Sequence, residues 1–335
     1  MTQRSWSVLG VPSSAAAHGP GLEKAPAALR AAGLVDALRA RGLVVTDQGD
    51  VEPARWRAHH VPGRLNDVER VAAGAGRVRE AVRDGLRGGH VPLVLGGECT
   101  VTLGVVAAAV DVHDDCGLVY VDGGQDLFTV ASHPEEPIAD ATGVAHLLDL
   151  PGASPELSAV GARRPLLDAR RLAFLGFSDA EEDEDGRVAA TRVPAAEVSA
   201  GPEAAARRAV DGVGSGPFVL HVDVDVLDFF ALPAADVPVF GRGLVPAELE
   251  RVVREIVSDP DLVAVTLVEF NPDPGGSTTA RAVGDGLARA RAPGGRGVRA
   301  PRGGRAVRAG RRGCASGPTA RSSRAGRTAR RGCRR

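Results

Sequence analysis

Aromatic side chains make up only 3% of this 335-residue sequence, with one tyrosine and two tryptophans. Its core must therefore be aliphatic, and the 44% hydrophobic content, rich in Ala, Val, Leu and Gly, is enough to fill one. Cysteine is also scarce. The four present, Cys99, Cys116, Cys314 and Cys333, form no C-x-x-C pair, which argues against a disulfide framework or a structural zinc cluster and for reduced thiols. No apolar run approaches the roughly 18 residues that would span a bilayer, and the start, MTQRSWSVLG, has no signal-peptide core. A soluble, cytoplasmic protein without a membrane partner is the expectation.

Acidic residues are absent from one long stretch. Residues 293–335 hold fourteen arginines, two valines as the only large aliphatics, and no acid, leaving 27 basic and 42 acidic residues in 1–292. The near-neutral total thus describes neither part. Such a tail cannot bury enough apolar surface to offset its ordering entropy, so the expected division is a folded domain over 1–292 and a disordered Arg/Gly-rich tail over 293–335. Its abrupt onset also suits a frame-shifted reading of GC-rich coding. Arginine runs neutralise phosphates, but this one lacks interleaved aromatics for base stacking, so nucleic acid is not the expected partner.

Over 1–292, short apolar runs alternate with helical patterns. Strands are predicted at 6–11, 42–47, 91–97, 117–122, 171–177, 217–226 and 261–270. Helices are predicted at 26–41, from a capping box of Asn66 and Glu69 to about 87, and near 101–110, 202–213 and 246–258. Strands without strict alternation, separated by helices, indicate a parallel sheet buried on both faces, hence a three-layer α/β domain. Ligands bind such sheets beyond the carboxyl ends of the strands, where Glu98, Cys99, Asp122, Asp126, Asp223, Asp225, Glu269 and Asn271 fall.

In the segment HVDVDVLD the two-residue period of a strand puts His221, Asp223 and Asp225 on one face. Like charges on a buried face need a compensating cation. VDGGQD adds Asp122 at a strand terminus and Asp126 in the turn, so four aspartates could converge on a dinuclear site for a hard metal such as Mn²⁺. Asp223 and Asp225 could instead cap loops or pair with arginines.

In this order the segments resemble the ureohydrolase family, which includes arginase, agmatinase and formimidoylglutamase. GGECT is similar to its G-G-D-H-S motif, DGGQD to D-A-H-x-D, HVDVDVLD to S-x-D-x-D-x-x-D, and VEFNP to V-E-x-N-P, over residues 6 to about 290. The resemblance implies an arginase-like fold and Asp122 and Asp223 as metal-bridging carboxylates, with Asp126 on one metal and Asp225 on the other. It implies that Glu269, with Asn271 beside it, faces a guanidinium-bearing substrate. It further implies that His146, in ATGVAHLL, serves in proton transfer. By the same resemblance the protein is a metal-dependent hydrolase that cleaves a C–N bond of a guanidino or amidino compound with a metal-activated hydroxide, as a homo-trimer or hexamer.

Both metal-binding histidines of the pattern are missing: Cys99 stands at the first and Gly124 at the second. A thiolate can ligate, which keeps Cys99, Asp122, Asp126 and Asp223 at the first position with a tilt from Mn²⁺ toward Zn²⁺ or Fe²⁺. Glycine cannot, leaving the second to Asp122, Asp223 and Asp225 unless His221 or His133 reaches in. A diverged, one-metal or catalytically silent member that binds a small molecule or a subunit is the alternative reading.

Overall fold

The computed structural model describes residues 4–58, 61–135, 137–178, 183 and 186–290. The predicted disordered tail lies outside them. Parallel strands β1 (Ser5–Gly10), β2 (Val44–Asp50), β3 (His90–Leu95), β4 (Gly117–Val121), β5 (Leu172–Leu175), β6 (Thr191–Val193), β7 (Phe218–Asp223) and β8 (Leu262–Val268) form one sheet in the order β2-β1-β3-β8-β7-β4-β5-β6.

Both faces of the sheet are buried. In β4, Leu118 and Tyr120 enter the apolar cluster on one side, and Val119 and Val121 enter the cluster on the other. Covering the first side are α3 (Val68–Arg87) and α4 (Val101–His113), with the short α5 (Gly143–Leu147) and α6 (Pro155–Ser158) against them. α1 (Ala25–Ala31), α2 (Leu34–Ala40), α8 (Pro202–Gly212), α9 (Pro246–Val257) and α10 (Pro272–Ala290) contribute to the second, with α7 (Ala195–Ala200) packed on α8. The three-layer α/β expectation is met. No helix among the described residues is long and apolar enough to cross a membrane.

Helix burial follows sequence. α3 buries Val71, Ala75, Val78 and Val82 at three- and four-residue spacing, the stripe of a surface helix. α4 is buried from Val101 to Val110, sandwiched between α3 and the sheet, and Gly104 permits the approach: a Cβ there would lie 2.4 Å from the Ala75 carbonyl oxygen.

Three predicted elements are corrected. The helix expected over 26–41 is broken at Gly33, whose φ of 88° lies in the left-handed region that glycine adopts without steric cost. The Asn66/Glu69 capping box does not form: the chain enters α3 through Asp67, and Glu69 pairs with Arg64 at 2.7 Å. The strand predicted over 217–226 stops at Asp223, because its Oδ1 accepts the Asp225 N–H at 2.6 Å and turns Val224–Val226 into one turn of 3-10 helix. Asp225 therefore leaves the strand face on which Asp223 sits.

Candidate metal centre and cleft

Strand order decides which side chains meet. β3, β8, β7 and β4 are neighbours at the middle of the sheet, and Asp223 is level with Val268 while Val121 is level with Val222. Cys99, Glu269, Asp223 and Asp122 thus emerge from or just beyond four adjacent carboxyl ends, where parallel sheets bind ligands. All four are at most 4% exposed.

The larger grouping is Cys99, Asp122, His221 and Asp223, whose donor atoms lie within 4.8 Å of one another. The Cys99 thiol donates to Asp223 Oδ2 at 2.9 Å and lies 3.9 Å from Asp122 Oδ2 and 3.7 Å from His221 Nε2. His221 Nε2 is 3.6 Å from Asp122 Oδ2. Backbone donors hold the outer oxygens: Gly124 N–H donates to Asp122 Oδ1 and Asp225 N–H to Asp223 Oδ1, both at 2.6 Å. The inner Oδ2 atoms are left facing the sulfur.

Burial pushes the Asp223 carboxyl well above the usual range, and Asp225 and Asp122 push it further. Burial raises Asp225 too, with Asp122 adding to it. The Cys99 thiol is raised by burial first and then by surrounding carboxylates, Asp223 foremost. A divalent cation would relieve all three effects.

A cleft of about 300 Å³ opens above this cluster, lined among others by Cys99, Asp122, Asp126, Asp140, Asp223, Asp225 and Glu269, with His18, Phe128, Ser178, Val237 and Arg242 around them. The Glu269 carboxyl is buried with the Asp140 carboxyl as its hydrogen-bonding neighbour, and its φ of 59° is strained for a non-glycine residue. Burial, followed by the charge of Asp140, raises its carboxyl. Asp140 is 7% exposed, accepts the Cys99 N–H on Oδ1 at 2.8 Å, and is pushed up to about 8 by burial and then by Glu98. Cys99, Asp140 and Glu269 form a second group of mutually close ligand atoms.

Other expected site residues are placed differently. Asp126 lines the cleft, but its Oδ2 accepts the Tyr120 hydroxyl, and it belongs to neither close group. Asp225 Oδ1 accepts the Gly123 N–H at 2.9 Å, and Asp225 joins neither group. His146 does not line the cleft: it is 1% exposed in α5, its Nε2 is 3.3 Å from the Thr142 hydroxyl, and burial lowers it to about 4. Asn271 is spent on structure, donating to Asp236 at 2.9 Å and accepting the Asp273 N–H at 2.9 Å. His133 packs against Phe128 with its ring tilted by 43° and does not line the cleft.

An oxygen-rich pair of ions is therefore only half matched. The donors at Cys99, Asp122, His221 and Asp223 fit one ion. At the second position of the family pattern Gly124 offers nothing and Asp225 is turned to Gly123, and the second close group, Cys99, Asp140 and Glu269, shares Cys99 with the first.

The family model for the arginase family matches residues 4–290. The chain belongs to the arginase family. It is 28% identical over 282 residues to an arginase of Eremothecium gossypii, covering 80% of this chain and 69% of that one. With an arginase of Brevibacillus brevis the identity is 29% over 290 residues, covering 80% and 91%. A crystal structure of arginase from Bacillus subtilis superposes with a TM-score of 0.77 at 21% identity, covering 86% of this chain and 98% of that one. The fold and family inferred from the motif order are thus met. Sequence reasoning overlooked Asp140, a buried acid in IADATG whose only local signal is its apolar setting, and Arg242 and His18, which join the cleft only through the fold. It had weighed His221 for the second metal position, whereas the structure sets it beside Cys99 at the first.

Proposed function

We propose that this arginase-family protein is a metal-dependent hydrolase that cleaves a C–N bond of a linear guanidino or amidino compound. The observation that carries the reading is Glu269: a buried carboxyl at the wall of an acidic cleft directly beside the metal-capable cluster, whose hydrogen-bonding neighbour is the Asp140 carboxyl, a second acid rather than a cation. A planar cation offering paired N–H donors satisfies both oxygens at once.

A divalent ion held by Cys99, Asp122, His221 and Asp223 would supply Lewis-acid activation of water by expanding from four protein ligands to a fifth position on the cleft side. Glu269 binds the guanidinium and fixes its plane. Asp140, pushed up to about 8, holds a proton at neutral pH on Oδ2, since Oδ1 accepts the Cys99 N–H. Water adds to the guanidino carbon, the bond to the substituted nitrogen breaks, and that nitrogen takes the Asp140 proton as it leaves. Asp140 then recovers one proton from the water consumed and the leaving amine takes the other, so the products are an ammonium and urea, or the corresponding amide from an amidine. His146 lies outside the cleft, which is why the proton role falls to Asp140 here. At the mouth, the exposed Arg242 favours a substrate whose far end is a carboxylate over one ending in a second cation.

The test is metal-dependent release of urea or amine from a panel of guanidino acids, agmatine and formimino compounds by the full chain loaded with Mn²⁺, Zn²⁺ or Fe²⁺. Turnover that disappears in Glu269→Gln is expected. A complete lack of turnover with every metal would favour the second reading, motivated by Gly124 at the second metal position: a one-metal or silent member that binds a small molecule.

A further inference from the structure

His221 stands where the family motif has serine, and its ring is held like that of a metal ligand. Thr102 Oγ1 lies 2.6 Å and Thr266 Oγ1 3.1 Å from Nδ1. With the ring proton on Nδ1, donated to a threonine hydroxyl, the Nε2 lone pair faces Cys99 and Asp122. Tyr120 stacks on the imidazole at 4.0 Å with 4° between the planes, which fixes its tilt. His221 is 0% exposed, so a hydrogen bond to water does not explain the arrangement. Fixing the far nitrogen by a hydrogen bond is how proteins set the tautomer of a ligating histidine.

The distances carry the rest. Zinc bonds of about 2.3 Å to sulfur and about 2.0–2.1 Å to nitrogen and oxygen give a tetrahedron with edges of about 3.6 Å from sulfur and about 3.4 Å between nitrogen and oxygen. The edges Cys99 Sγ–His221 Nε2, Cys99 Sγ–Asp122 Oδ2 and His221 Nε2–Asp122 Oδ2 measure 3.7, 3.9 and 3.6 Å. The shortest of these four edges, 2.9 Å from Cys99 Sγ to Asp223 Oδ2, is a thiol–carboxylate hydrogen bond, and it would open by about 0.7 Å when the thiol proton leaves.

We infer that this chain holds a single four-coordinate ion of the zinc class on Cys99 Sγ, His221 Nε2, Asp122 Oδ2 and Asp223 Oδ2, in place of an oxygen-rich pair of ions. This rests on the same cleft as the hydrolase reading and names the ion that cleft selects. One sulfur and one imidazole suit Zn²⁺, or Co²⁺ as its probe, over Mn²⁺. Loading converts the Cys99 thiol to thiolate and releases its proton to solvent. Thr102 and Thr266 are positioning residues.

The experiment titrates the EDTA-treated full chain with Co²⁺ and records its electronic spectrum, with X-ray absorption on the Zn²⁺-loaded protein as the second measurement. Expected are one ion per chain, intense visible bands of tetrahedral cobalt, a near-ultraviolet thiolate charge-transfer band lost in Cys99→Ser, and zinc scattering from one sulfur and one imidazole. Thr102→Val should weaken binding about 10- to 100-fold while keeping the charge-transfer band. Two ions per chain, a zinc shell of oxygens alone, or no binding would overturn the assignment. Because X-ray absorption uses the unaltered chain, a variant that fails to fold does not decide the matter. A cobalt band without any hydrolysis would sink the hydrolase reading and leave this site standing; hydrolysis without sulfur at the metal would do the reverse.

Discussion

Replacing Asp140 by Asn should make the metal-free protein more stable at pH 8 and flatten its stability against pH. Asp140 is buried, and its carboxyl is pushed from 3.8 up to about 8, chiefly by burial and then by the charge of Glu98. Below about pH 4 the folded and unfolded chains both hold this proton, and the group contributes no pH dependence. Between about 4 and 8 the unfolded chain has lost the proton while the folded chain retains it. Folding then takes up a proton, and stability falls by about 1 kcal/mol per pH unit for this group. Above about 8 the penalty is constant, with an upper limit on the order of 5 kcal/mol. Asn keeps an oxygen to accept the Cys99 N–H and presents its amide toward Glu269, taking over the hydrogen bond that the Asp140 carboxyl makes there. Part of the gain is returned, because Glu269 and Glu98 ionise more readily once Asp140 is neutral. Urea unfolding of EDTA-treated wild type and Asp140→Asn at pH 5, 6, 7 and 8, followed by tryptophan fluorescence, measures the difference. Equal slopes in the two proteins, or a variant less stable at pH 8, would refute the placement of this carboxyl in a dry acidic wall.

Gly104→Ala should cost about 1–3 kcal/mol in the same unfolding assay, because the new Cβ would sit 2.4 Å from the Ala75 carbonyl oxygen and 2.8 Å from Val78 Cβ, both on a rigid helix; a neutral result would mean that α3 and α4 are not in close contact. Installing histidine at both family positions, Cys99→His with Gly124→His, should raise tightly held metal from one to two ions per chain by elemental analysis, and a count that stays at one would show that position 124 does not face the second site. Arg242→Ala should raise KM for carboxylate-bearing guanidino compounds while leaving it little changed for agmatine, as read from steady-state rates on both; equal effects on the two substrates would remove Arg242 from recognition.

Much of the fold was legible because buried parallel strands are written as unbroken apolar runs, and each central one ends in a glycine or an acid. The layer order and the carboxyl-end location of Cys99, Asp122, Asp223 and Glu269 follow from that pattern. Local side-chain bonding was not legible. Val224 and Val226 extend the β-branched run of β7, yet the Asp223 carboxylate captures the Asp225 N–H and ends the strand, so period-two reasoning put Asp225 on the wrong face. α10 begins PDPGG and reads as a loop, although after the break at Gly276 its turns pack on α1, α2 and α9. The Tyr120 hydroxyl on Asp126 and the placement of Asp140 against Cys99 depend on which loops the sheet brings together, and no spacing in the sequence encodes them.

The two histidine losses have unequal consequences for a reason built into the sheet. The first lost ligand, at Cys99, follows β3, and its metal position is walled by β7 and β4, whose residues one step inward still point at it. His221, two residues before Asp223 on β7, reaches within 3.6 Å of Asp122 without any movement of the backbone. A strand behind the site can therefore supply a replacement ligand through one substitution. The second lost ligand, at Gly124, belonged to a loop beyond β4. The loop is tightly packed next to it: a Cβ at neighbouring Gly123 would meet Asp225 O at 3.0 Å and Val239 Cγ2 at 3.1 Å. In this chain, therefore, the donors that remain close together, Cys99 and His221 with Asp122 and Asp223, are those carried by the sheet and its strand ends, while the loop position at Gly124 carries none.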